Sequence, residues 1–112
     1  MFADELFSVK EYGAFHEVLH PLEHEALPNK DFQRIRTNAK ELVKRGKAIV
    51  KLDVPARTHE KYTVEFRKEL KKFSESLKLF EQHAKKGSDR ELEESFSAVH
   101  DSFEMLLGML PR

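Results

Sequence analysis

Residues 15–28 read "FHEVLHPLEHEALP" and hold three of the six histidines in the chain, His16, His20 and His24, each four positions from the next. On a helix, residues four apart lie on one face, so such a pair can present two imidazoles to a single ion. A fourth histidine, His100, lies far along the chain between Val99 and Asp101. Three ligands from His16, His20 and His100 leave a fourth position for His24, for a carboxylate such as Glu23, Glu93 or Glu104, or for water, and such a set suits zinc, copper or nickel. With no cysteine in the chain and no methionine beside the cluster, Cu(I) is less favoured.

Composition narrows the function classes. A chain of 112 residues supports one domain, spanning 1–112, with its own core. Twenty basic residues balance twenty acidic ones, leaving no net charge to steer the protein toward nucleic acid or anionic lipid. The lysine-rich runs "KELVKRGKAIVK" and "FRKELKKF" are spaced as solvated faces of amphipathic helices. No apolar run reaches the ~20 residues a membrane-crossing helix needs. The absence of cysteine removes disulfides, thiolate sites and covalent haem attachment. No nucleophile–base pair or phosphate loop suggests an enzyme, and the four glycines are scattered singly. "MFADELFSV" has no basic leader and only a short apolar stretch, which suits either a cytoplasmic protein or the mature form of an exported one.

Four segments carry the helical period, and no strand-like alternation competes. The first is expected from Ser8, with Glu11 completing a capping box, to about Leu27, where Pro28 stops it. The second is expected from an Asn29 cap, with Phe32, Ile35, Ala39, Leu42, Gly46 and Ile49 inward, ending before Pro55. The third, about 58–86, repeats Phe66, Leu70, Phe73, Leu77, Phe80 and Ala84, with Gly87 expected in a left-handed position after it. Ser88 and Glu91 form a second capping box, opening a fourth helix along Leu92, Phe96, Val99, Phe103, Leu106 and Leu110. Short connections force neighbours antiparallel, so the expected fold is an all-α, up-down-up-down four-helix bundle with phenylalanine-rich core stripes.

At about 100° per residue, His16 borders the apolar stripe of the first helix, His20 sits on its shoulder and His24 turns toward solvent. Pro21 can bend the helix and change the bearing of His24. Counting from the shared end of the first and fourth helices puts His16 and His100 at one level, with His20 one turn away. His59 and His83, near helix ends, read as ordinary polar residues.

Several bundle chemistries can be compared with this pattern. A ferritin-like di-iron site needs two Glu-x-x-His motifs; Glu17 and His20 supply one, but Ser97 stands where the second needs its glutamate. The hemerythrins are similar in length and architecture, yet their site takes histidines from all four helices, and the second helix here has none. The segment from "FRKELKKFSESLKLFEQHAKKGSDRELEESF" to the C-terminus resembles the last two helices of the soluble b-type and c-prime cytochromes. That resemblance implies a cytochrome-like bundle. The axial histidine of those families would fall near Leu107, about two turns beyond His100. "FHEVLHPLEHEALPNKDFQRIRTNAKELVKRGKAI" with "SFSAVHDSFEML" resembles a group of small bacterial helical bundles of poorly defined function, many of them exported and thought to bind metal. Their histidine-rich first helix and their His-Asp segment in the last one correspond to His16, His20, His24 and His100.

The expectation is a metal-binding bundle holding Zn2+ or Cu2+, with Ni2+ also compatible, through His16, His20, His24 and His100. It would act in metal buffering, storage or delivery, in the periplasm or otherwise exported, with the oligomeric state left open and a homodimer compatible. The alternatives are a structural or partner-binding bundle with incidental histidines, and a non-covalent haem carrier.

Overall fold

The computed structural model describes residues 8–111; most of the N-terminal segment considered above for export signals therefore lies outside the described residues. The elements are α1 (Lys10–Pro21), continued by a single π turn (Leu22–Ala26), then α2 (Phe32–Leu52), a short 3-10 turn (Glu60–Tyr62), α3 (Thr63–Lys86) and α4 (Asp89–Met109). Consecutive helices pack side by side, α3 against α4 most extensively, as an up-down path requires. The result is an all-α four-helix bundle with a Cα radius of gyration of 13.8 Å, close to the ~13 Å of a compact chain of this size.

The inward stripes are those the period predicts. Ile35, Leu42, Phe66, Phe73, Phe80, Phe96, Val99 and Phe103 all have zero exposure. Between α1 and α4 the contact is aromatic: Phe103 lies 4.8 Å from Phe15 and 6.0 Å from Tyr12, centroid to centroid. The two backbones stand further apart there than those of consecutive helices, leaving a seam on the outer side of the rings.

The helix ends are only partly as expected. Ser88 and Glu91 do form the reciprocal capping box: Ser88 Oγ accepts from Glu91 N at 3.1 Å, and Glu91 Oε1 accepts from Ser88 N at 2.9 Å. These bonds hold the Glu91 carboxyl below the usual carboxylate range. The expected box at Ser8 does not form, because α1 begins after Val9 with no side-chain cap. Asn29 does not cap α2 either. Asp31 does, accepting from Arg34 N, while the Asn29 amide donates to the Glu25 carbonyl and ties off the preceding turn. Gly87 is extended, at φ −82°, rather than left-handed. Glycine is needed there because a Cβ would stand 2.7 Å from His83 Cα.

One cap comes from across the bundle. The Arg36 guanidinium, reaching from α2, donates to the carbonyls of His83, Ala84 and Gly87 and to the Asp89 carboxylate, at 2.9 to 3.1 Å. It supplements the Gly87 N–H bond to the His83 carbonyl and supplies a donor to the Ala84 and Gly87 carbonyls at the C-terminal end of α3. Arg36→Ala should therefore cost about 2–3 kcal/mol, as loss of hydrogen bonds to a partly buried charge typically does. A shift of the urea midpoint by no more than Arg34→Ala produces would contradict this.

Candidate metal centre

Pro21 determines the local path of the first helix. It has no N–H, so the Glu17 carbonyl loses its usual helical donor. The next N–H, of Leu22, turns back to Leu19, and the chain widens into a turn closed by bonds from Leu27 N to Leu22 O and from Asp31 N to Ala26 O. A π turn advances each residue by less than the ~100° of an α-helix. A four-residue step in α1 drifts forward by about 40° around the axis, and the wider turn cancels that drift. His24 consequently stays in column with the other two. The ring centroids of His16 and His20 are 5.1 Å apart, and those of His20 and His24 are 4.2 Å apart.

This column faces α4 across the open seam. His16, Leu19, His20, Glu23, His24, His100 and Glu104 line a cleft of about 100 Å³. The four histidines named from the sequence thus share one cleft, as do two of the three candidate glutamates. The third, Glu93, does not line it and pairs with Lys30 at 3.2 Å.

Within the cleft, Glu23 occupies the centre of the contacts. Its Oε2 lies 3.3 Å from His24 Nε2 and its Oε1 lies 3.9 Å from His100 Nε2. On the other side of the His100 ring, Nδ1 is 3.3 Å from Asp101 Oδ1. His16 is partly buried, and its pKa falls below the ordinary imidazole value. Burial is the main cause, the neighbouring His20 and His24 act in the same direction, and the Glu104 carboxylate opposes them. The shift favours the neutral form of His16, the form that metals bind.

The equal-level relation of His16 and His100 is modified by side-chain direction. Helical Cα–Cβ bonds tilt toward each helix's own N-terminus. On antiparallel helices the two rings therefore lean apart along the bundle, His100 toward the Glu23 end and His16 toward Glu104. Among the described residues, no three His, Asp or Glu side chains converge into a ready-made ligand set. Closing around an ion requires rotation of side chains, and His20 and His24 are both exposed and able to turn.

The two remaining histidines lie elsewhere and have local jobs. His59 Nδ1 accepts from Lys61 N at the start of the 3-10 turn. His83 Nδ1 contacts the Glu91 carbonyl and Ser95 Oγ, linking the end of α3 to α4. Sequence reasoning missed the paired burial of Glu69 and Ser102, whose hydroxyl donates to the carboxylate at 2.6 Å. A glutamate on the inward edge of the third helix was its available signal. No helix among the described residues is long and apolar enough to cross a membrane. Comparison with protein-family models, curated proteins and solved structures yields no match.

Proposed function

We propose that this protein binds a divalent transition metal, Zn2+ or Cu2+ with Ni2+ as the next candidate, and serves in metal buffering, storage or delivery without a catalytic role of its own. The reading is carried by one observation: four imidazoles and two carboxylates, drawn from α1, the π turn and α4, face a single small cleft. Its volume supports an ion over an organic cofactor, since pockets for the latter run to ~300–1,000 Å³. The cytochrome-like resemblance therefore bears on the course of the helices, and haem is the weaker reading. An exported, periplasmic setting is proposed from the resemblance to the small histidine-containing bundles alone.

A second reading has its own support. Because the described side chains do not converge on one point, the protein can instead be a structural or partner-binding bundle whose histidines are incidental. Elemental analysis of untagged protein, followed by calorimetric titration of the metal-free form, separates the two. Metal binding predicts about one ion per chain and a higher melting temperature, an ion at 100 times its dissociation constant adding ~2.7 kcal/mol. It also predicts affinity that weakens as pH falls from about 7 to 5, because protons compete for imidazoles whose free pKa is ~6.5. No saturable binding of any divalent ion, with an unchanged melting temperature, selects the structural bundle.

A further inference from the structure

We infer that Glu23 is an inner-sphere ligand of the ion, joining the π turn to α4 through His24 and His100, and that Asp101 is the positioning residue that aims His100 at it. This deepens the metal reading and rests on it. The glutamates of this region are not equivalent. Glu17, Glu25 and Glu93 each face a permanent cation, Arg45, Arg34 and Lys30 respectively. Both recorded ion-pair partners of Glu23 are imidazoles, one on each side of the seam. Its side chain is 27% exposed, against 63% for Glu25 and 66% for Glu17, so the carboxylate is turned into the cleft.

The chemistry of the contacts leaves a place for a positive centre between them. If His100 donates Nδ1–H to Asp101, its Nε2 presents a lone pair, not a proton, to Glu23. Two electron-rich atoms then face each other, and a proton at low pH or a metal ion at neutral pH relieves the repulsion between them. A metal bonds imidazole nitrogen at ~2.0–2.1 Å and carboxylate oxygen at ~2.0–2.2 Å, so in a tetrahedral sphere the two donor atoms stand roughly 3.4 Å apart. The His24–Glu23 gap of 3.3 Å already has that spacing, and the 3.9 Å between His100 Nε2 and the other Glu23 oxygen must close by side-chain rotation as the ion binds. The carboxylate–histidine–metal relay of Asp101 fixes the tautomer and ring orientation of the ligand. A mixed nitrogen and oxygen sphere of this kind favours Zn2+ and Cu2+ over Cu+.

The test uses the untagged full chain and its Glu23→Gln, Glu93→Gln and Asp101→Ala variants. The measurements are Zn2+ calorimetry, Cu2+ electron paramagnetic resonance, and imidazole nitrogen NMR of the metal-free protein. Glu23→Gln should lower affinity by more than about 100-fold and change the Cu2+ spectrum, whereas Asp101→Ala should lose about 10–100-fold, as second-sphere partners do. Glu93→Gln should bind like the parent. In the metal-free protein His100 should carry its proton on Nδ1, a preference that Asp101→Ala should abolish. Should the parent bind saturably and Glu23→Gln match it within about threefold with an unchanged spectrum, the inner-sphere role is overturned and the metal reading survives. Absence of saturable binding by the parent overturns both. A His100 tautomer indifferent to Asp101→Ala overturns the positioning role by itself.

Discussion

Phe103→Ala should lower the free energy of unfolding by about 3–5 kcal/mol, the usual range for emptying the site of a buried aromatic ring. Phe103 has zero exposure, and its ring contacts three others from two different helices: Tyr12 and Phe15 on α1 and Phe73 on α3. It is where α1 is held to α4, since the backbones of those helices stand apart. Truncation would therefore remove aromatic packing on several sides and leave a cavity that no neighbouring backbone can close. The recorded ring contact of Phe96 is with Phe80 on one neighbouring helix, so Phe96→Ala removes fewer ring contacts and should cost less. Denaturant unfolding of both variants, compared at constant m-value, provides the check. A loss below about 1.5 kcal/mol for Phe103→Ala would mean that the seam collapses onto the vacated space.

What could be read from the sequence depended on the range of the interaction. The Ser88 capping box was legible because its donors and acceptors lie within four residues of one another. The same pattern stands at Ser8, and there the helix begins without it. For α2 the competing cap candidates were two residues apart. The choice of Asp31 depended on Asn29 being drawn to the Glu25 carbonyl by a turn that Pro21 had already widened. Gly87 was rightly a punctuation mark, but for closeness to His83 rather than for a left-handed backbone. Arg36 could not be found at all, since its acceptors lie about fifty positions away and nothing local marks them.

The candidate site divides along the same line. Helical periodicity was enough to bring His16, His20 and His100 to the border of the core, and they share a cleft. The bearing of His24 required knowing how the chain resolves the missing N–H of Pro21, by kink, break or π turn. Periodicity cannot choose among these, because each satisfies the Glu17 carbonyl and its neighbours in a different way. The choice among Glu23, Glu93 and Glu104 was equally closed to it. That choice depends on Lys30 lying beside Glu93 across the bundle and on the lean of His100 toward the π turn.

His16→Ala, His20→Ala and His100→Ala should each reduce metal affinity by more than the 10–100-fold expected for loss of a supporting partner. Helix content in the metal-free forms should be unchanged, because alanine is the best helix former. On a straight α-helix His24→Ala would do little, since another step would carry that ring about 40° further from the cleft. The π turn changes the expectation. With its ring 4.2 Å from that of His20 and its Nε2 against Glu23, His24 should prove as damaging to lose as the others. Pro21→Ala makes the same point without touching a ligand. Restoring an N–H for the Glu17 carbonyl should favour the straight helix, swing His24 out of column and bring affinity down toward that of His24→Ala. Because the proline is also removed from a helical segment, this variant should be no less stable than the parent when metal-free. Lost affinity without lost stability is a combination that damage to the core would not produce. His59→Ala and His83→Ala should leave binding unaltered. If His100→Ala binds like the parent protein, the site does not span α1 and α4, and the cleft between them is not where the ion is held.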